Sequence, residues 1–239
     1  NLLTSSPWFI VTAYLVGLAL LLGGFRIAII TLVCALGIVY VGLWSDTMVT
    51  LAATLVAAAL TVALGILVGV WIGRSKKADR VIRPILDAGQ VLPAFVYLVP
   101  FLGLFGATRF TAIMAAIVYA APAAIKLVAD GIKGVPESII ESSIAAGSNT
   151  WQMITKVQLP SAKRALMLAT NQGLIYVLAM IVVGGLVGAG GLGYLVVCGF
   201  SQERFKGKGL AAGLAIVLLG ILIDRITQAA ASRKGASVN

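Results

Sequence analysis

Residues 51–70 read LAATLVAAALTVALGILVGV, twenty residues without a charge. The apolar core of a bilayer is about 30 Å thick, which takes roughly 20 helical residues to cross. A spanning β-strand alternates apolar and polar residues, and this run does not. Only helices and closed barrels satisfy every backbone group in lipid, so the run is a membrane helix. Gly65 and Gly69 within it, and Gly73 just beyond, recur at four-residue steps on one face. Small residues on one face let another helix approach closely, so the stripe predicts tight helix packing.

Working outward, the 239 residues are 60% hydrophobic and 11% charged, with mean hydropathy +1.06. That is too little charge to cover a water-exposed domain. The spacing predicts an all-α polytopic membrane protein with about seven membrane-length segments. They are 8–23, 27–44, 47–72, 88–105, 109–129, 165–187 and 208–226. Pro93 and Pro100 interrupt the fourth, and Pro122 lies in the fifth. The predicted division is two accessory helices over 1–46, a transmembrane domain over 47–228 and a tail over 229–239.

The net charge of +10 would suggest nucleic acid in a soluble protein. Here the basic residues set topology instead. Arg26, the cluster Arg74, Lys76, Lys77, Arg80 and Arg83, five residues from Lys126 to Arg164, and Arg225, Arg233 and Lys234 fall on one side. Arg109, Arg204, Lys206 and Lys208 fall on the other. The positive-inside rule places the richer side in the cytoplasm, with the N-terminus outside and the C-terminus inside.

There is no His, and Cys34 and Cys198 have no metal-ligand spacing. A His-based metal or catalytic site is therefore not expected, and neither a nucleophile–base pair nor a G-x4-G-K-[ST] phosphate loop occurs. An enzyme is disfavoured. The chain begins at Asn1 rather than Met, which reads as a trimmed or fragmentary chain or as part of a longer polypeptide; no cleavable signal pattern with a basic start is seen. An ion-coupled transporter is expected to keep ionisable residues as relays inside the membrane. Asp46, Asp87, Lys126, Asp130 and Asp224 all read as lying near segment ends.

GGLVGAGGLG at 184–193 contains a formal G-x-G-x-x-G, but it ends a membrane helix rather than following a strand. It predicts a sharp turn into a shallow re-entrant or interfacial segment, Tyr194 to Phe200, near an external gate.

ESSIAAGSNTWQMITKVQLP, residues 141–160, is a polar insert on the cytoplasmic side. Pro136 and Glu137 suit a helix start, and Gly147 weakens that helix or ends it. Ser148, Asn149 or Thr150 is placed to cap a second short helix near Trp151, with Pro160 as its stop. A solvated loop and a force-transmitting element remain alternatives on these grounds.

The insert resembles the EAA loop of ABC-importer permeases, E-A-A-x3-G-x9-I-x-L-P. Glu141, Gly147, Leu159 and Pro160 match, Val157 replaces Ile, and Ser142 and Ser143 replace the two Ala. The resemblance implies a coupling loop over about 130–163. In it Glu141, Ala145, Ala146, Gly147, Trp151, Leu159 and Pro160 meet or support a separate ATPase subunit. QVLPAFVYLVPFLGLFG at 90–106, IVVGGLVGAGGLGYLV at 181–196 and IDRITQ at 223–228 resemble the glycine betaine/proline (quaternary amine) uptake permeases. CGFSQERFKGKG at 198–209 departs from that family's outer loop. The resemblance implies a five-helix core of the methionine-importer type, two permease copies, two ATPases that hold ATP and Mg, and an external binding protein. This chain itself is then expected to bind no cofactor, and to sit in a bacterial or archaeal plasma membrane. The expected cargo is a compatible solute; choline, carnitine or a small amino acid are the alternatives.

A quaternary ammonium is held by aromatic faces, at about 0.5–2 kcal/mol each. Phe95, Tyr97, Phe101 and Tyr119 are the candidates for a translocation path, against packing or an interfacial belt. Asn171 and Gln172, adjacent amides in the sixth segment, either line that path or cross-link helices.

Overall fold

The computed structural model describes residues 5–236, and these are helical with no strand among them. Helix α1 (Trp8–Tyr40) is broken at Gly24, whose φ of 75° and ψ of −170° leave the helical region. A Cβ on Gly23 would stand 3.0 Å from the Cβ of Ile27. A continuous helix keeps such a pair about 5–6 Å apart, so the chain folds sharply there. The first two predicted segments are thus the two halves of α1. Gly42, at φ 76°, turns the chain into α2 (Trp44–Arg74).

α2 carries buried threonines whose hydroxyls donate to the carbonyl four residues back. The distances are 2.8 Å for Thr47 to Leu43, 2.9 Å for Thr50 to Asp46 and 2.8 Å for Thr54 to Thr50. Such back-bonding satisfies a hydroxyl where water is absent. Ser75 then caps α3 (Lys76–Val91), accepting from the Ala78 N–H at 3.2 Å.

The fourth predicted segment is not one helix. Pro93 ends α3, a 3-10 turn follows at Ala94–Tyr97, and α4 (Leu98–Phe105) leaves at 111° to α3. Pro100 sits in the first turn of α4, where its missing N–H has no intrahelical partner to lose. α5 (Arg109–Lys133) starts on a Thr108 cap, with the Thr111 N–H donating to its Oγ1 at 3.3 Å, and continues through Pro122.

Past α5 come α6 (Glu137–Ala145) and a composite run, α7, built from Thr150–Gln152, a π turn Met153–Gln158 and a last turn Leu159–Ser161. α8 (Lys163–Val183) extends through a 3-10 turn Gly184–Val187; α9 (Gly191–Ser201) is short and apolar; α10 (Lys206–Ala236) is last. Among the described residues five helical stretches are long and apolar enough to cross a bilayer, or six if the bent pair α3–α4 is taken as one span.

The centre of the bundle is α2 against α5, with α8 across both. The glycine stripe makes this possible. A Cβ on Gly65 would stand 3.0 Å from the Ala124 Cβ, and one on Gly73 2.8 Å from that of Ile132. Ala112, Ala115, Ala116 and Ala120 keep α5 slender in the same core. The second half of α1 lies antiparallel on α10: Gly23 faces Ala229, and Gly37 faces Leu218. Val11 shares the core cluster of Cys34, Ala35 and Ile38, so the first half of α1 joins the same body.

At the other end of the bundle, Gly188, Gly190 and Gly191 take φ of 74°, 78° and 69°. They turn the chain into α9, whose Leu192 N–H donates to Thr50 Oγ1 at 3.0 Å. A Cβ on Gly193 would stand 2.1 Å from the Val182 carbonyl oxygen, so only glycine lets α9 fold back on α8.

Candidate functional site

Two features carry chemistry. The first is the polar loop over α6 and α7. Glu137 occupies the first turn of α6, complementing its positive end. The helix closes with paired bonds: Ser148 N–H donates to the Ser143 carbonyl at 3.1 Å, and Gly147 N–H to that of Ile144 at 2.9 Å. This Schellman closure needs a left-handed residue, and Gly147 supplies it at φ 77°. Of the three capping candidates the structure selects Asn149. Its Oδ1 accepts from the Gln152 N–H at 2.8 Å, while its own N–H donates to Gln152 Oε1 at 3.0 Å. Such a reciprocal capping box fixes the start of α7.

Pro160 does not stop α7. The run continues to Ser161 and breaks at Ala162, where ψ is 10°. A proline ring clashes with the carbonyl four residues back, and the wider π turn over Met153–Gln158 accommodates it.

The loop is two-faced. Met153 and Gln158 are buried, and Ile154 and Leu159 pack with Val70, Val128 and Ile132. The Arg74 guanidinium donates to Gln158 Oε1, joining α7 to the end of α2. Glu141, Ala145, Ala146, Gly147 and Pro160 are exposed, and so is Trp151, at 72%. Of the residues the sequence grouped as a docking surface, Leu159 alone turns inward; it anchors the loop. Behind α6, an open cavity of about 1060 Å³ is bordered by Arg74, Lys76, Arg80, Lys133 and Glu137.

The second feature lies where α3 runs along α5. Arg83 bridges Asp79, at 3.0 Å, and Asp130; Lys133 reaches Asp79 at 2.6 Å; and Lys126 pairs with Asp87 and with Gln90 Oε1. The Lys133 ammonium and the Arg83 guanidinium together hold the Asp79 carboxyl below the usual carboxylate range. Lys126 is less terminal than the sequence suggested. It stands seven residues inward of Lys133, roughly 10 Å along the helix.

Beside this ladder a pocket of about 330 Å³ is lined by Gln90, Lys126, Asp130, Leu168, Gln172 and Tyr176. Tyr97 and Tyr119 meet edge to face at 5.6 Å, and Tyr119 meets Tyr176 at 5.8 Å. The Tyr97 hydroxyl donates to the Gly89 carbonyl. Of the candidate path residues, Tyr97, Tyr119 and Gln172 therefore gather in one region. Phe101 belongs to a separate stack with Phe105 and Phe110, and Phe95 is exposed. Asn171 departs from its neighbour: its Oδ1 is enclosed and has no hydrogen-bond partner among the described residues. Gln90, Lys126 and Tyr176 are not among the candidate path residues; in the sequence Lys126 reads only as a charge near a segment end. The available signal was spacing: Gln172 and Tyr176 stand at i and i+4, as do Lys126 and Asp130.

Residues 61–235 match the model of the binding-protein-dependent transport system inner membrane component. The chain is 39% identical over 208 residues to the glycine betaine/proline betaine permease ProW of Escherichia coli, covering 87% of this chain and 58% of that protein. It therefore spans little more than half the length of that relative. The glycine betaine permease OpuAB of Bacillus subtilis is 36% identical over 93% of this chain and 78% of its own length. Among solved structures, the inward-facing MetNI methionine ABC transporter matches with a TM-score of 0.70 at 27% identity, over 82% of this chain and 96% of that one. With this match over residues 61–235, the chain belongs to the family of binding-protein-dependent transport system inner membrane components.

Proposed function

We propose that this chain is the permease subunit of an ATP-driven, binding-protein-dependent importer of compatible solutes such as glycine betaine, proline betaine and related quaternary amines. The observation that carries the reading is the two-faced loop. It presents Glu141, Ala145, Ala146, Gly147 and Trp151 outward, while Ile154, Gln158 and Leu159 tie it to α2, α5 and α8. Exposed apolar Trp151 and Ile144 beside an acidic Glu141 suit a protein partner. That partner is a separate ATPase subunit, which holds ATP and Mg; this chain binds no cofactor. The excess of Lys and Arg on the loop side supports a cytoplasmic loop and C-terminus, with the N-terminus outside the plasma membrane. The betaine permeases among its relatives support the cargo.

Two permease copies work with two ATPases and an external binding protein. Closure of the ATPases draws the two Glu141 loops together. The anchored face of each loop passes that motion to α2, α5 and α8, and the path past Tyr97, Tyr119 and Gln172 opens outward to the loaded binding protein. Hydrolysis resets it inward.

The test is uptake of radiolabelled glycine betaine into vesicles holding this chain, its ATPase and its binding protein. Uptake is expected to need internal ATP and to persist with ion gradients collapsed. Glu141→Lys is expected to abolish uptake while the variant still inserts and dimerises; normal uptake by that variant removes the docking role. The likeness to a methionine transporter favours a small amino acid as the second reading of the cargo, and methionine uptake in the same vesicles separates the two.

A further inference from the structure

The pocket between α3, α5 and α8 carries more polar chemistry than helix packing requires. The ion-pair ladder Lys126–Asp87, Arg83–Asp130 and Lys133–Asp79 already joins α3 to α5. It does not call for an amide and a phenol on the facing helix α8, yet Gln172 and Tyr176 stand there. Gln172 lies nine residues inward of Lys163, and Lys126 seven inward of Lys133. At 1.5 Å per residue the pocket is roughly 10–14 Å in from the loop end of the bundle. Its volume of about 330 Å³ is at the small end of the range for ligand pockets, roughly 300–1,000 Å³.

The bonding capacity left over is specific. An ammonium has three donors; Lys126 Nζ uses two, on Asp87 Oδ1 and Gln90 Oε1, leaving one. Gln90 engages its amide oxygen, so its N–H groups stay available. The Gln172 amide has no partner among the described residues. These donors suit a carboxylate. Tyr176 is 36% exposed, and an aromatic face attracts a quaternary ammonium. Charge around the pocket is balanced, Lys126 and Arg83 against Asp87 and Asp130. Such a set favours a neutral molecule with internal charges over either ion alone.

We propose that this pocket is a binding site, in the permease itself, for a small zwitterion with a trimethylammonium and a carboxylate. The carboxylate takes the free donor of Lys126 and the amides of Gln90 and Gln172; the ammonium rests on Tyr176. The proposal rests on the compatible-solute reading, and the experiment separates the two. Vesicles with the wild-type complex first establish ATP-dependent glycine betaine uptake; failure there overturns both the cargo and the ligand.

Equilibrium dialysis of radiolabelled glycine betaine against the purified permease–ATPase complex, without binding protein, then reads the site alone. Wild type is expected to bind saturably. Lys126→Met, Gln172→Leu and Tyr176→Leu are each expected to weaken binding about tenfold, the scale of one lost charge-assisted or cation–π contact. Tyr176→Phe keeps the ring face and is expected to keep affinity, which a role for the hydroxyl would not allow. Gln172→Leu and Tyr176→Leu leave the α3–α5 ion pairs intact, so they report even if Lys126→Met fails to assemble. A complex that transports glycine betaine yet shows no saturable binding overturns the site and leaves the importer standing. So does binding that these variants do not change.

Discussion

Replacing Gly69 by Ala tests the packing that holds the bundle together. The new Cβ would stand 2.7 Å from the Val128 Cβ and 2.8 Å from the Ile125 carbonyl oxygen. Real Cβ atoms do not sit that close. One neighbour is backbone, so no side-chain rotation relieves the contact, and α2 must move off α5. Overpacking of this kind costs about 1–3 kcal/mol. Alanine also gains about 1 kcal/mol of helix propensity over glycine, which masks part of the cost. Gly213→Ala on α10 supplies the control, because a Cβ there meets nothing within 4 Å. The propensity gain is common to both variants, so their difference isolates the packing term. At about 2–4 °C per kcal/mol for a chain of this size, Gly69→Ala is expected to melt about 2–12 °C below Gly213→Ala. The assay is thermal unfolding in detergent in a Cys198→Ser background, followed by a thiol-reactive dye that then reports exposure of buried Cys34. Equal melting temperatures would refute the claim that the stripe exists for close approach.

Gly147→Ala puts a side chain on a left-handed residue with no steric neighbour. The strain of about 1–2 kcal/mol is expected to cut hydrogen-exchange protection at the Ser148 amide by about 5–30-fold. Asn149→Ala removes half of the capping box and is expected to cost about 1 kcal/mol locally, seen as faster exchange of the Gln152 amide with the membrane helices unchanged. Asp79→Asn removes the carboxylate shared by Lys133 and Arg83. Because the folded carboxyl titrates below its ordinary value, its contribution is present above about pH 4 and is lost as pH falls through the lowered value. The melting difference between wild type and Asp79→Asn is therefore expected to be full at pH 7 and to shrink below about pH 4. A constant difference across that window would remove the ion-pair explanation.

Much of the architecture was legible because lipid leaves few options. Segments such as 51–70 have to be helices, and proline and glycine punctuate them wherever they fall. Pro93 marked the break between α3 and α4, and Gly147 the end of α6. The charged helix α3 was not legible as a helix packed along α5: its Lys and Arg were counted as a loop, and its partners lie 39 to 54 residues away in sequence. Pro160 misled for a local reason. A π turn absorbed it, and the break moved to Ala162.

The aromatic residues divided in the same way. The sequence grouped Phe95, Tyr97, Phe101 and Tyr119 alike, but Tyr97 packs on Tyr119, Phe101 stacks on Phe105, and Phe95 stays exposed. The sequence by itself determined the helical kind of the membrane segments, the polar loop with its glycine hinge, and the face of α2 that takes a close neighbour. Those follow from backbone satisfaction in lipid and from residue-specific φ, which are local properties. Only the tertiary structure decided that α5 is that neighbour, that Leu159 turns inward while Trp151 stays out, and that Lys126, Gln172 and Tyr176 share one pocket. Those are contacts between residues far apart in the chain, and the crossing of whole helices sets them.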